Sequence, residues 1–168
     1  VLAYDDHGAL DPSFGTNGTV TFGSLGGSHV IAAAADGSAV VALERGGVER
    51  LERTGAVDAE YRARADVRGV GGGALTFAAD GELVSVGGGF GPRYVLTVAR
   101  IAPDGSPDSR FGKEGVVTTE IDASHRAQGT GFTTLALTPP GRITAAGIAC
   151  RQPFVCDVVV ARYRDVAD

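Results

Sequence analysis

Methionine and tryptophan are missing from this chain, aromatic residues make up only 7% of it, and cysteine occurs twice. No run of basic residues exists, and the formal charge of -5, from 15 basic and 20 acidic residues, sets the chain against nucleic acid or an anionic membrane as main partner. Long apolar runs are lacking too. The longest, Val30 to Ala35, is far too short to span a bilayer, so no membrane insertion is expected. No signal-peptide pattern opens the sequence, which carries little weight in a chain that begins on Val1 instead of Met.

The chemistry-bearing patterns are equally sparse. Cys150 and Cys156 have no second Cys or His pair beside them, so no metal site is expected. Ser28-His29 and Ser124-His125 lack the Gly-x-Ser-x-Gly elbow that presents a nucleophile, and no catalytic residue is assigned. The Gly-rich stretches at 69–73 and 87–91 precede no helix, so they are loops and not phosphate cradles, and no cofactor is expected. Helical periodicity is scarce. Only Ala56 to Arg68 is dense enough in charge to suggest a helix, as an alternative to a strand over Arg62 to Val67.

What the sequence does have is glycine, 26 of 168 residues, and a recurring stretch. Gly8-Ala9-Leu10-Asp11-Pro12-Ser13-Phe14-Gly15-Thr16-Asn17-Gly18 returns at Gly105 to Gly115, and a worn copy runs from Gly55 to Tyr61. Asp stands three residues and an aromatic six residues after each leading Gly, and the copies start 47 and 50 residues apart. A fixed period of that length marks a repeat array. Asn17-Gly18-Thr19 also fits a glycosylation acceptor, but its place in the motif reads as a turn.

Aligned on that Gly, each unit offers four strands. The first is Thr19 to Phe22, Arg62 to Val67 and Val116 to Ile121. The second is Val30 to Ala35, Ala74 to Ala79 and Phe132 to Thr138. The third is Ala39 to Leu43, Leu83 to Val86 and Ile143 to Ala146. The fourth is Val48 to Arg53, Tyr94 to Ile101 and Val158 to Tyr163. Asp36-Gly37, Asp80-Gly81 and Pro140-Gly141 supply tight turns between second and third strands. Those strands are nearly continuous in apolar residues, as in sheets covered on both faces. The expectation is an all-β β-propeller arc of three four-stranded antiparallel blades, residues 8–54, 55–104 and 105–164. Residues 1–7 are an orphan N-terminal strand, the outer strand of a preceding blade. Three blades do not close a ring, so a partner is expected: another copy, or another propeller chain.

The motif residues Asp11, Asp58 and Asp108 suit Asx-turns at each crossing, against the alternative of a carboxylate ring for a cation. Phe14, Tyr61 and Phe111 read as core wedges. Arg50, Arg100 and Arg162 recur at one place in the fourth strand, where pairing with a carboxylate is favoured over binding an anionic ligand. Cys150 and Cys156 flank a hairpin neck and are expected as a disulfide, which implies an oxidising compartment.

The motif resembles the bacterial delta-60 repeat family, through Leu10-Asp11-Pro12-Ser13-Phe14-Gly15 with Gly18, Pro107-Asp108-Ser109-Arg110-Phe111-Gly112 with Gly115, and Pro103-Asp104-Gly105. Ala99-Arg100 and Ala161-Arg162 fit it too, while the second unit departs at Tyr61 and lacks the Gly that follows the aromatic. The resemblance implies a β-propeller domain in a secreted or cell-surface bacterial protein and carries no catalytic residues.

Loop length varies between first and second strands and between third and fourth, on one face of such blades. Variable loops on a rigid scaffold are where recognition concentrates. The candidates there are Phe90, Arg93, Arg151, Phe154, His29 and His125, suited to a glycan or a protein ligand. The leading expectation is a non-catalytic binding or scaffold module. The alternatives are an assembly part that completes a ring with a second chain, and a glycan-active enzyme using Glu120 and Asp122 near an axis.

Overall fold

A computed structural model describes residues 1–21, 30–43, 47–64, 72–88, 95–120, 130–138, 141–151 and 155–164. The chain is all-β in those parts, with one short helix. The elements are β1 (Val30–Ala33), β2 (Ala39–Ala42), β3 (Val48–Leu51), α1 (Ala59–Arg64), β4 (Ala74–Phe77), β5 (Leu83–Gly88), β6 (Val95–Ile101), β7 (Val116–Glu120), β8 (Thr130–Thr138), β9 (Arg142–Arg151) and β10 (Val155–Tyr163). They form three antiparallel meanders, β1-β2-β3, β4-β5-β6-β7 and β8-β9-β10.

The expected hairpin turns form. Gly37 and Gly81 hold φ near +85° and +84°, and the Asp before each accepts the backbone N–H two residues on, Ser38 at 2.8 Å and Glu82 at 3.1 Å. Pro140 lies outside the described residues; Gly141 turns with φ +59°.

The strand that follows the motif does not begin a new sheet, and here the expected order of strands is corrected. Val116–Glu120 pairs with β6 before it, Ala99 opposite Val116, and makes no ladder with β8. The reason lies in the motif. Gly112 at φ +57°, Glu114 at +52° and Gly115 at +80° reverse the chain, so that Arg100 N–H donates to Gly115 O at 2.9 Å and Asp108 N–H to Arg100 O at 3.0 Å. The motif is thus a wide hairpin inside a sheet, and the middle sheet crosses the 104/105 boundary between repeat units. The strand with the periodic Arg, fourth in the expected order, is third in this sheet and lies inside it as β6.

The same hairpin recurs at the N-terminus. Ala3 N–H donates to Gly18 O at 3.0 Å, Asp11 N–H donates to Ala3 O at 2.9 Å, and Leu2 bridges Thr19. Residues 1–4, expected as an orphan strand, are thus one arm of a small hairpin with the residues after the first motif, as β6 is with β7.

The middle copy forms α1 where a strand over Arg62 to Val67 was expected; residues 65–67 lie outside the described residues. In the other copies Gly15 and Gly112 follow the aromatic at φ +57°, and a Cβ there would sit 2.4 Å from Thr19 O and 2.3 Å from Val116 O. Arg62 occupies that place in the middle copy, and an L-residue cannot enter the turn without that clash. The chain runs on helically instead. Asp58 caps it, its carboxylate accepting Tyr61 N–H at 2.9 Å, and Glu60 in the first turn suits the positive end of the helix. Among the described residues the sheets have three, four and three strands, against four expected in each.

The sheets stack face to face. One apolar cluster joins Ala32, Val40, Ala42 and Val48 of the first sheet to Leu83, Ala99 and Ile101 of the second. Another joins Val84, Val86, Leu96 and Val98 on the opposite face of the second sheet to Phe132, Ile143 and Ala145 of the third. The middle sheet is covered on both sides, which is why β5 and β6 are apolar without alternation. Thr119 of β7 and Tyr163 of β10 tie the second and third sheets with a hydroxyl pair at 2.8 Å.

Cys150 and Cys156 stand directly opposite across β9 and β10 and are bonded as a disulfide. The bridge closes a short loop, so reduction is expected to remove on the order of 2 kcal/mol of stability. Thermal melts with and without reductant read that loss, and a Cys150→Ser/Cys156→Ser variant that ignores reductant assigns it.

Candidate functional site: the inter-sheet clefts at the motif end

The motif copies sit at one end of the stack together with the Asp-Gly turns, and each packs on the copy before it. A Cβ on Gly55 would come within 2.8 Å of Gly15 N, and one on Gly105 within 2.8 Å of Tyr61 O. Gly15 N–H donates to Thr54 O at 2.8 Å, a direct bond from the first copy to the second. Only glycine, at φ +83° and +88°, permits approach this close. Gly8, the leading Gly of the first copy, has no described atom within 4 Å of its Cβ position.

The motif aspartates act locally, as expected of Asx-turns and caps. Asp11 accepts Ser13 N–H at 2.9 Å and Ser13 Oγ–H at 2.6 Å; these bonds hold its carboxyl below the ordinary carboxylate range. Asp58 caps α1. Asp108 accepts Arg110 N–H at 3.1 Å and Arg110 Nε–H at 2.9 Å. Phe14, Tyr61 and Phe111 are buried, again as wedges.

Asp108 also belongs to a charge cluster that has no counterpart among the described residues of the other copies. Arg100, on β6, is 4% exposed and pairs with Glu82 and with Asp108, its Nε 3.5 Å from Asp108 Oδ2. Arg110 donates from Nη2 to Glu82 at 2.7 Å. Two arginines and two carboxylates cancel in charge, three of the four being buried. The Arg100 guanidinium also lies 5.7 Å from the centroid of the Phe111 ring. Burial pushes the Asp108 carboxyl up, but hydrogen bonds from Arg110 and the charges of Arg100 and Arg110 outweigh it, so the net shift is downward. Burial lowers the Arg100 pKa, against the pull of Asp108.

The Asp108 shift gives a sign to the acid response. A carboxyl held below its unfolded value contributes stability above about pH 4 and loses it as pH falls through the lower folded value. Urea midpoints should therefore drop as pH falls below about 4. The Asp108→Asn variant should start less stable at neutral pH and show a shallower drop; an unchanged slope refutes the assignment.

The first sheet repeats the position with other partners. Arg50 Nη2 donates to Asp36 at 3.1 Å and Ser38 Oγ at 3.3 Å, and Nη1 reaches across to Pro103 O of the next sheet at 3.3 Å. Its guanidinium stacks 5.4 Å from the Tyr61 centroid, and burial pushes the Tyr61 phenol up to about 12. The Ser38 hydroxyl and N–H hold Asp36 below the usual range, with Arg50 adding to the effect. Carboxylate bracing was expected for all three arginines. Arg100 takes the motif Asp, Arg50 takes Asp36 of the turn, and Arg162 is exposed on β10.

Two clefts open between neighbouring sheets at this end. One of about 380 Å³ lies between the first and second sheets, lined by Asp36, Arg50, Tyr61, Phe77 and Pro103. The other, about 360 Å³, lies between the second and third, lined by Asp80, Val84, Arg100, Leu137 and Ile143. The first offers a guanidinium, a carboxylate and an aromatic face over an apolar floor. Sequence reasoning placed recognition at the opposite, variable-loop end and missed these clefts. The signal available was the alignment of the periodic Arg with the Asp-Gly turns.

The variable-loop candidates Phe90, Arg93, Phe154, His29 and His125 lie outside the described residues, as does Asp122. Arg151 ends β9, with its side chain outside the description. Glu120 is exposed at the end of β7. Asp5, Asp6 and His7 form an exposed cluster in the turn after residues 1–4, where Asp5 accepts the N–H groups of His7 and Ala9 at 2.9 and 2.8 Å. Among the described residues no helix is long and apolar enough to cross a membrane. No family model, curated protein or solved structure matches the chain.

Proposed function

We propose that this chain is a non-catalytic scaffold and binding module, an arc of a β-propeller from a secreted or cell-surface bacterial protein. One observation carries the reading: the middle sheet has a neighbour on each face, and the neighbours repeat the order of its first three strands. Face-to-face antiparallel meanders that repeat along the chain, each covered by the next, are how propeller blades are laid side by side. The motif's likeness to the delta-60 repeat supports the same reading, and the Cys150–Cys156 disulfide suits an oxidising compartment. The buried charges serve the array itself, since Arg100 is taken up by Glu82 and Asp108.

Ligand binding is proposed at the variable-loop end, through Phe90, Arg93, Arg151, Phe154, His29 and His125, with glycan or protein as the ligand class. A glycan and peptide array probed with the whole chain tests it. Binding that weakens in Phe90→Ala and Phe154→Ala supports the proposal; binding indifferent to both, or no binding, sinks it. A second reading, assembly with another propeller chain, is favoured by the apolar outer face of β8–β10, where Val158 and Val160 are exposed.

A further inference from the structure

The outer face of the third sheet carries Ile148, Val158 and Val160, 44%, 78% and 65% exposed. Three large apolar side chains side by side on a sheet need a cover. The repeat shows what covers this face elsewhere. Arg100 and Arg162 hold equivalent places, opposite Val84 and Thr144 in their ladders, so Leu96 and Val98 of β6 correspond to Val158 and Val160 of β10. Leu96 and Val98 are fully buried beneath the third sheet. In the first sheet Val48 holds the Val98 place and is buried beneath the second.

The other end of the stack presents the complementary surface. Ala3 makes the two backbone bonds that Arg100 makes with its own motif, one of which, the N–H of the motif Asp to the strand carbonyl, Arg50 makes as well. Leu2 and Tyr4 therefore stand where Ala99 and Ile101 stand in β6, the residues that the second sheet turns toward the first. Here they are 54% and 59% exposed, beside Leu10.

A charge match fixes the register. Arg50 reaches across its seam to Pro103 O, in the turn after the third strand of the next sheet. The corresponding turn at the N-terminus, closed by Asp5 N–H to Ala9 O just as Ala102 N–H closes on Ser106 O, puts Asp6 in the Pro103 place. Asp6 is exposed, with His7 Nδ1 as its neighbour at 2.7 Å. Arg162 on the open face is the counterpart of Arg50.

We infer that a second copy of this chain covers the third sheet, head to tail. Its Leu2, Tyr4 and Leu10 lie on Val158, Val160 and Ile148, and its Asp6 faces Arg162. The two surfaces differ, so the contact is heterologous, and it leads to a ring or an open chain of copies. The inference rests on the stacked-arc reading above and adds the partner, the face and the register.

Sedimentation equilibrium of the whole chain, from low to high micromolar at low salt, tests it. The expected result is a mass that climbs with concentration above the 17.0 kDa monomer. Val160→Asp, at an exposed position, should abolish the climb while leaving the circular dichroism spectrum and melting cooperativity intact. Arg162→Asp and Asp6→Arg should each weaken association by about fivefold, as a rim ion pair does, and the double variant should restore it. A cooperatively folding chain that stays monomeric throughout overturns the inference and leaves the stacked arc standing. Association that ignores Val160→Asp, or that the double charge swap fails to rescue, overturns the register. Loss of cooperative folding in the wild-type chain instead sinks the stacked arc itself.

Discussion

Replacing Arg100 by Leu should cost about 3–5 kcal/mol, because it leaves buried carboxylates without their main counter-charge. Glu82 and Asp108 are both buried, and Arg110, the remaining cation, lies mostly in solvent. Asp108 would then take up a proton at higher pH than it does now, moving the acid limit of stability upward. Arg50→Leu is the control. It occupies the same place in the repeat, but its partner Asp36 is 59% exposed and keeps water as an alternative. Its loss should stay within about 1 kcal/mol, since exposed ion pairs contribute little. Urea titrations of the two variants at neutral pH decide between burial and repeat position as the source of the effect. Equal losses would refute the role given to burial. Adding Glu82→Gln to Arg100→Leu should recover part of the deficit, because a neutral pair carries less of the desolvation cost.

The Asp-Gly turns and the disulfide were legible in the sequence, since each depends on local chemistry. Two-sided burial, expected for second and third strands alike, is met by the third strand β5, whereas the second strands β1, β4 and β8 are only partly covered. The phase of the strands was not legible. Val116–Glu120 could pair with the strand before the motif or with the one after it, and apolar pattern alone does not distinguish the two. The deciding information sits in φ values at Gly112, Glu114 and Gly115, which bend the motif back upon β6. Asn17 and Glu114 hold the same left-handed turn position, at φ 51° and 52°; Asn favours that region, whereas Glu conceals it. The helix in the middle copy was legible in principle, from the missing Gly after Tyr61 and the Asp58 cap. The buried cluster was legible in part. The recurrence of Arg100 and Asp108 pointed to a pair, but Glu82 joins them through the hairpin fold, and Ser38 and Arg142 at its place in the other sheets hid it from any periodic search.

Truncating Phe132 to Ala should be the costliest change in the apolar core, about 3–5 kcal/mol. The ring is 1% exposed between the second and third sheets, edge-on to Tyr163 with centroids 6.3 Å apart. How much such a cavity costs depends on whether its walls can close. Here the backbone around it is already in contact. A Cβ on Gly73 would lie 2.0 Å from Phe132 O, and one on Gly147 would lie 2.0 Å from Gly131 O and 2.6 Å from Phe132 Cα. The strand cannot sink into the space the ring leaves, and the register shift between Phe132 and Thr134 fixes the side chain's place along β8. The loss should also be directional. Tyr163, which packs on Phe132, bonds Thr119 of the middle sheet, so the seam between the second and third sheets weakens first. Hydrogen exchange should show β8–β10 losing protection while β4–β6 keep theirs. Ile148→Ala, on the outer face of the same sheet, should cost less than about 1 kcal/mol in the monomer, because its side chain is already half in water. If the two substitutions prove equally damaging, the inner and outer faces of the third sheet have been interchanged, and the stacking order built on them falls with it.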